Sequence, residues 1–240
     1  MALDRATRKG IASHYAHRGH RWHARWKLAV DPAYAAVASL LDDRPLPLLD
    51  IGCGIGLLGH YLRAAGVPAG YVGVDHDPRK ITAAQAAAHA AGVADTMDLR
   101  CADAAALPPT RGHVVLLDVL HYLSATEQQA LLQVAISHLA PDAVLLIRNV
   151  LREANWRFHA TRLEEFFLRV SGWIPGGAQH YPRVEELCAP LRQAGLDVQV
   201  RALRGRTPYN SYLLVARFHA PRTKMPVIAA DQLYSAAQSP

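Results

Sequence analysis

The chain has 240 residues, and 51% of them are hydrophobic. This length suits one domain with a full core, and the composition excludes a disordered or collagen-like chain. Apolar runs fall short of the roughly 18 residues needed to cross a membrane, and the Arg- and His-containing start lacks a signal-peptide h-region, so we expect a cytoplasmic protein. The odd set of Cys53, Cys101 and Cys188 has no metal-type spacing and predicts buried free thiols.

The positive charge is concentrated at one end of the chain. The formal net charge is +6; residues 1–27 carry seven basic side chains and one acid, and the remainder balances at 19 of each sign. A nucleic-acid binder spreads basic charge over a face of its fold, so we expect no nucleic-acid partner. The basic segment is either a solvated leader or a surface for an anionic partner, such as an acidic carrier protein or an anionic membrane surface.

Beyond the basic segment, short apolar runs alternate with helical patterns. A short helix is predicted after Asp31, ending near Leu41. Strand-like runs and Ala- and Leu-rich helical segments then take turns, which is typical of βαβ units and a parallel sheet. The predicted strands are 47–52, 71–75, 97–102, 113–118 and 143–149, and the predicted helices between them are 56–66, 78–92 and 125–139.

The last part of the chain predicts an antiparallel hairpin. A helix over 184–194 is followed by strand-like runs at 196–203 and 210–218. Their connector is too short to hold a crossover helix, so the two strands must run antiparallel. The predicted organisation is an N-terminal helical cap at 1–44, a main domain at 45–220 with a substrate-side insertion at 151–183, and a mobile tail at 221–240.

A glycine-rich turn after the first strand is the strongest signal. Gly52, Gly54 and Gly56 follow an apolar strand that contains Asp50, and a helix follows them. Glycines let a ligand lie against the backbone, and the helix offers its N-terminal amides. The spacing with Gly59 also fits the dinucleotide pattern G-x-G-x-x-G, but an acid before the loop would repel a pyrophosphate. A carboxylate suits the ammonium and sulfonium groups of S-adenosylmethionine better.

Two further acids follow the next two strands. Asp75 ends the second strand, where a carboxylate accepts both ribose hydroxyls of either cofactor class. Asp103 follows the third and can accept the adenine amino group. Three acids at three consecutive strand ends favour a cofactor site, and the adjacent His76 and Ala104 complete the predicted set.

With these motifs, the chain resembles the class I S-adenosylmethionine-dependent methyltransferases over roughly residues 35–218. The resemblance implies a Rossmann-like sheet of order 3-2-1-4-5-7-6 with strand seven antiparallel, helices on both faces, and an N-terminal helical lid. It places Asp50 and Gly52 near the methionine part of the cofactor, and Asp118 beneath its methyl group. The matching segments are LLDIGCGIG (48–56), YVGVDHD (71–77), RCADA (100–104), VVLLDVLHYL (114–123) and AVLLIRNV (143–150).

Methyl transfer needs little from the protein beyond proximity and orientation, because the sulfonium supplies the leaving group. A general base is required only for a protonated acceptor such as a phenol. His121 follows strand four, where it either acts as this base or forms the wall of the cofactor site. His180 lies in a Gly-rich loop and is a second candidate base or a surface residue. No metal is expected, because Arg148 stands where a metal-dependent relative would need an acid.

Aromatic residues predict an acceptor pocket for a small apolar or aromatic molecule. Ile11, Tyr15, Trp22 and Trp26 fall on one side of a helical wheel, which favours a lid over the cleft. The alternative for the same segment is docking to the anionic partner. The predicted substrate-side residues are Tyr15, Trp22, Trp26, Tyr122, Asn149, Trp156, Trp173 and Tyr181.

The sequence thus predicts an S-adenosylmethionine-dependent methyltransferase of small-molecule biosynthesis, with O-methylation favoured and C- or N-methylation open. The alternatives are a non-catalytic cofactor-binding module of the same fold and a nicotinamide-dependent oxidoreductase. The second alternative lacks the Tyr-x-x-x-Lys pair that a short-chain reductase needs.

Overall fold

The computed structural model describes residues 2–41, 45–153, 177–203 and 210–219. Its centre is a seven-stranded sheet of order β3-β2-β1-β4-β5-β7-β6. The first five strands agree with the predicted runs to within about two residues at each end. The strands are β1 Leu48–Ile51, β2 Tyr71–Asp75, β3 Met97–Cys101, β4 His113–Leu117, β5 Leu145–Val150, β6 Leu196–Ala202 and β7 Ser211–Phe218.

Strands β1 to β5 pair in parallel, whereas β7 runs antiparallel to both β5 and β6. The predicted strand order and hairpin are therefore confirmed. In the centre of the sheet, Leu48 of β1 is level with Tyr71 on one side and His113 on the other. The carboxyl ends of β1, β2 and β4 consequently meet at one edge, where open α/β sheets bind their ligands.

Helices cover both faces of the sheet. One buried cluster joins the N-terminal helices to α4 and α5, with Leu28, Val37 and Leu62 among its members. The other joins α6 and α7 to the opposite face through residues such as Leu132 and Leu187. The helices are α1 Arg5–Ser13, α2 Arg18–Val30, α3 Ala33–Leu41, α4 Leu57–Ala64, α5 Pro78–Ala90, α6 Ala125–His138 and α7 Val184–Gln193.

Local sequence fixes several helix starts next to the site. Asp77 caps α5 by accepting a hydrogen bond from the Arg79 amide, and Pro78 occupies the first turn, where its missing N–H costs nothing. Ser124 and Glu127 form a capping box at the start of α6. Both helices therefore begin immediately after the segments that leave β2 and β4.

The N-terminal cap, which we define as α1 to α3, differs from the prediction in one respect. The helical wheel assumed a continuous helix through residues 11–26, but the helix is interrupted between α1 and α2. This break lets Tyr15 leave the helical path and become fully buried. Trp22 stays 65% exposed, so the predicted aromatic stripe is wrong, because Tyr15 and Trp22 do not lie on one continuous helix.

Two other expectations have a mixed outcome. Cys53 and Cys188 are buried as predicted, but Cys101 is exposed because it ends β3 at the edge of the sheet. Most of the 151–183 insertion, for which the sequence pattern also predicts a helix at 154–170, lies outside the described residues, as does the tail at 221–240. The domain boundaries stay predictions. In the described part of the chain, no helix is long and apolar enough to span a membrane.

Candidate active site

The turn after β1 has a shape that only glycine permits. Gly52, Gly54 and Gly56 have φ angles of 81°, 57° and 73°, in the left-handed region. A Cβ on Gly52 would also lie 2.4 Å from the Val119 Cγ2 atom, in the turn after β4. Helix α4 starts directly after Gly56, so its first amides point at the same edge. The glycine loop thus offers bare backbone to a ligand.

Asp75 at the end of β2 supports this loop. Its Oδ2 atom accepts a hydrogen bond from the Gly54 amide at 2.9 Å, and its Oδ1 atom accepts one from the Asp77 amide, also at 2.9 Å. The Asp75 side chain is buried, and the neighbouring His76 is largely exposed with its Nδ1 atom 3.6 Å from Oδ1. This carboxylate therefore links the glycine loop to the start of α5 and keeps lone pairs for further donors.

Asp103 and Ala104 follow β3, the next strand along the edge. Asp103 is exposed and Ala104 is half-buried. The Asp103 carbonyl accepts a hydrogen bond from the Ala106 amide, which forms a short turn after the strand. The structure therefore brings Asp75 and Asp103 to adjacent strand ends, as the sequence predicted.

Asp50 is buried beneath the glycine loop. The Tyr71 hydroxyl donates a hydrogen bond of 2.5 Å to its Oδ2 atom. Burial raises the pKa of Asp50 to about 7, while the Tyr71 hydrogen bond lowers it and the charge of Asp75 raises it. The Tyr71 ring reaches Asp50 through a slot between Gly59 and Gly73, where an added Cβ would lie 2.9 Å and 2.8 Å from its Cε1 atom.

Gly59, the third glycine of the dinucleotide-like pattern, thus leaves room for the side chains of Met97 and Tyr71. The acids that flank the loop are Asp50 and Asp75, and residues 48–59 contain no Lys or Arg. These two carboxylates fit a cationic cofactor without phosphates, because they would repel a pyrophosphate.

An ion cluster joins the N-terminal cap to the ends of β4 and β5. The Lys27 Nζ atom lies 3.0 Å from Oδ2 of both Asp31 and Asp118. Arg148 hydrogen-bonds Asp118, lies 3.5 Å from Asp31, and donates to the Ser211 Oγ atom at 3.0 Å. Burial opposes ionisation of Asp31, but the charges of Arg148 and Lys27 outweigh it and lower the pKa of Asp31 to about 2.

Asp118 therefore lies between two cations at the carboxyl edge of the sheet. Its φ angle is 60°, which residues other than glycine seldom adopt. Such backbone conformations persist only where surrounding contacts enforce them, and they cluster at functional sites. The described residues contain no group of three or more His, Cys, Asp or Glu side chains able to hold a metal.

His121 lies in the short turn after β4 and is buried. Its Nδ1 atom is 3.0 Å from the Asn149 Oδ1 atom, and the Asn149 amide nitrogen donates to the Val150 carbonyl. This second bond orients the Asn149 oxygen towards the ring, so Nδ1 carries the proton and Nε2 carries the lone pair. Burial lowers the pKa of His121 to about 4, despite the Asn149 hydrogen bond and with help from the Lys27 charge.

The loop at 177–182 packs against this histidine. The Gln179 and His180 amides donate to the His121 carbonyl at 2.9 Å and 3.3 Å. The Tyr181 ring stacks parallel to the His121 ring at 6.2 Å, and the Tyr122 ring lies 4.1 Å from it. His180 instead turns its Nε2 atom to the Glu186 carboxylate at 3.1 Å. The structure thus brings His121, Tyr122 and Tyr181 together and directs His180 towards α7.

The cap contributes one of the predicted aromatic residues to the glycine loop. The Tyr15 hydroxyl donates to the Ile55 carbonyl at 3.1 Å. Trp22 lies on the outside of the cap, stacked against Trp26 at 6.3 Å. Among the predicted substrate residues, Trp156 and Trp173 fall outside the described part of the chain.

Comparison with known proteins identifies the family. Residues 49–145, which run from β1 to the first residue of β5, match the model of a methyltransferase domain family. The chain carries a class I S-adenosylmethionine-dependent methyltransferase domain. The predicted family and fold are confirmed, and S-adenosylmethionine is the cofactor of this methyltransferase class.

Curated relatives of this chain are named O-methyltransferases of ubiquinone biosynthesis. The protein from Cereibacter sphaeroides (strain KD131) is 31% identical over 162 residues, which cover 64% of this chain and 63% of that relative. One from Rhizobium etli (strain CFN 42) is 29% identical over 162 residues, covering 65% of this chain and 62% of the relative. The chain therefore matches somewhat less than two thirds of the length of these relatives.

Solved methyltransferases share the fold at low identity. A magnesium protoporphyrin IX methyltransferase from Synechocystis has a TM-score of 0.63 and 19% identity, covering 89% of this chain and 93% of that one. Mitomycin 7-O-methyltransferase has a TM-score of 0.64 and 21% identity, covering 83% and 56%. These likenesses extend across most of the chain and concern the fold alone.

Four residues shape this candidate site through contacts that were not predicted from the sequence. Arg148 interrupts an apolar strand, and a charge there should have indicated a buried carboxylate partner. Lys27 and Asp31 carried no comparable signal because both lie in a polar segment. Tyr71 could have been found from the two small residues, Gly59 and Gly73, that leave space for its ring.

Proposed function

We propose that the chain is an S-adenosylmethionine-dependent O-methyltransferase that acts on a hydroxyl group of a small apolar or aromatic acceptor. The observation that carries this proposal is the His121–Asn149 pair. It gives a neutral imidazole with its lone pair on Nε2, beside two tyrosine rings at the carboxyl edge of the sheet. The O-methyltransferase names of the curated relatives support the same reaction class.

The cofactor-binding role is proposed for the residues around the glycine loop. When bound, S-adenosylmethionine supplies an activated methyl group with a neutral thioether as leaving group. The chain would bind the cationic methionine end of the cofactor near Asp50, with Asp118 beneath its methyl group. It would accept the ribose hydroxyls at Asp75 and the adenine amino group at Asp103. The remaining members of the set are Gly52, Gly54, Gly56, His76 and Ala104.

In this mechanism His121 receives the proton of the acceptor hydroxyl on Nε2 while Asn149 holds the ring through Nδ1. A base with a pKa of about 4 is too weak to ionise a phenol in advance. Proton transfer must therefore accompany methyl transfer, when the forming bond makes the hydroxyl strongly acidic. The aromatic rings of Tyr122 and Tyr181 would line the acceptor side, with Asn149 as the positioning residue.

His180 is the weaker candidate for the base, because its ring already faces Glu186. Trp156 and Trp173 remain proposed acceptor contacts on the strength of the sequence. The cytoplasmic location and a role in small-molecule biosynthesis also remain proposals. An acidic carrier protein and an anionic membrane surface are the two partners proposed for residues 1–27.

Turnover by the full chain tests the proposal. The chain is incubated with S-adenosylmethionine and soluble aromatic hydroxyl compounds, such as a hydroxynaphthoic acid and a flavone, and S-adenosylhomocysteine is quantified. These probes follow the acceptors seen with two structural neighbours, a naphthoic acid and apigenin. Acceptor-dependent product is expected. Tight cofactor binding without product from any hydroxyl acceptor would favour the non-catalytic module.

A variant pair tests the role of His121. His121→Ala should lower the rate about 10² to 10⁴-fold with cofactor affinity unchanged. The matched control is His89→Ala, because His89 is exposed on α5 away from the site. A loss below threefold in His121→Ala would assign this residue to the wall of the cofactor site.

A further inference from the structure

The outer face of α2 combines one exposed indole with arginines. Positions 18, 22, 25 and 29 fall within about 60° on a helical wheel, and Arg21 borders them. Arg18, Arg21, Trp22 and Arg25 are all exposed, whereas Ala24 and Leu28 on the inner side are buried. The helix therefore uses its inner side to pack on the fold and presents Trp22 among three arginines to the outside.

Trp22 is an unusual residue to leave in water. It is 65% exposed, and the only other large hydrophobic side chains exposed in the described part of the chain are Val184 and Val200. Its ring stacks on Trp26 with an angle of 9° between the planes, so the indole is held in one orientation. A fixed indole loses little side-chain freedom when it inserts into a partner.

The charge around Trp22 points to an anionic partner. No acid occurs between Arg5 and Val30, and the exposed face of α1 adds Arg5 and Lys9. Arg21 has a structural task, since its guanidinium donates to the carbonyls that follow α1. Arg18 and Arg25 flank Trp22 one turn before and one turn after, with no acid on their own helix.

We propose that the outer face of α2 docks on an anionic lipid surface, with Trp22 at headgroup level and Arg18 and Arg25 on lipid phosphates. Indoles favour the membrane interface, and basic clusters are attracted to anionic leaflets. A lipid surface suits this face better than a protein does. A stable protein partner needs roughly 800 Å² of matched surface with an apolar centre, and this face offers a single ring.

The docked face lies on the helix that borders the proposed site. Lys27, on the inner side of α2, contacts Asp118 at the end of β4. Docking would therefore hold the carboxyl edge of the sheet close to the membrane, where an apolar acceptor concentrates. Delivery of the acceptor rests on the proposed function, whereas lipid binding itself does not.

Vesicle binding by the full chain tests the proposal. Sedimentation is measured with vesicles of phosphatidylcholine alone and with 30 mol% phosphatidylglycerol, at low and at high salt, alongside tryptophan fluorescence. We expect binding to the anionic vesicles only, a blue-shifted emission, and loss of binding at high salt because the charges are screened. Arg18→Gln with Arg25→Gln should weaken binding about 30-fold, since each arginine is worth about fivefold. Trp22→Ala should weaken it roughly tenfold and remove the blue shift.

The matched control is the pair Arg192→Gln with Arg201→Gln, which removes the same charge from exposed positions elsewhere. The proposal is overturned if this pair weakens binding as much, if neutral vesicles bind equally well, or if the chain ignores vesicles but binds polyglutamate. Cofactor affinity and turnover of a soluble acceptor are measured in the same Arg18/Arg25 variant. Both should be unchanged, so loss of docking and failure of the enzymatic proposal give different results.

Discussion

Removal of the Asp75 carboxylate should weaken cofactor binding at the glycine loop. Asp75 accepts hydrogen bonds from the Gly54 and Asp77 amides at 2.9 Å each, and its remaining lone pairs are proposed to receive both ribose hydroxyls. Hydrogen bonds to a charged group contribute about 1.5–3 kcal/mol. Asp75→Ala should therefore lower cofactor affinity roughly tenfold to 150-fold.

The same change leaves two backbone donors without their acceptor, so the free energy of unfolding should also fall, by about 1–3 kcal/mol. Calorimetric titration with S-adenosylhomocysteine measures affinity, and a thermal melt confirms that the variant is folded. Asp77→Ala is the matched control in the same turn. It removes the α5 cap at a cost of about 1 kcal/mol in stability and should leave affinity unaltered. A folded Asp75→Ala chain with normal affinity, or an equal loss in Asp77→Ala, would remove Asp75 from the cofactor site.

Three further predictions concern the buried acid Asp50, the proposed base His121 and the N-terminal cap. Asp50, with a pKa of about 7 against an ordinary 3.8, must ionise to face a cation, so cofactor affinity should rise up to about tenfold per pH unit below 7 and level off above it. Tyr71→Phe removes the hydrogen bond that favours ionised Asp50, so the midpoint of this pH dependence should move to higher pH. Cofactor affinity that calorimetry finds independent of pH would contradict both statements. Asn149→Asp places a carboxylate beside His121, which should raise the pKa of His121 and move the acidic limb of the pH–rate profile to higher pH by about 1–3 units. An unmoved limb would remove His121 as the titrating group. Deletion of residues 1–27 should abolish activity on a free acceptor at every salt concentration because the inner side of the cap covers the glycine loop, whereas full activity would eliminate the lid.

The order of strands and helices was predictable because it depends on the spacing of apolar residues and on turn residues within each short segment. Asp75 and Asp103 were placed correctly at their strand ends, since parallel strands bring their carboxyl ends to one edge. The cofactor class also followed from the sequence, because the acids around the glycines carry a charge argument that needs no coordinates. These predictions depend on residues close together in the chain.

The contacts that were not predictable join distant segments. Lys27 meets Asp118 across 91 positions, and no local pattern indicates that pairing. Tyr15 departs from the helical wheel because α1 ends before it, and its side chain is buried with its hydroxyl bonded to the Ile55 carbonyl. Once Tyr15 turns inwards, the helix restarts at Arg18 and Trp22 faces outwards. A wheel drawn over the whole segment therefore assigned the wrong side to this tryptophan.

Calorimetric titration of the full chain with S-adenosylmethionine and with NAD, under the same conditions, tests most directly whether the glycine loop binds a methyl donor. We expect saturable one-site binding of S-adenosylmethionine and no measurable heat from NAD, because the acids flanking the glycine loop attract a cation and repel a pyrophosphate. Binding of NAD with no binding of S-adenosylmethionine would contradict this expectation.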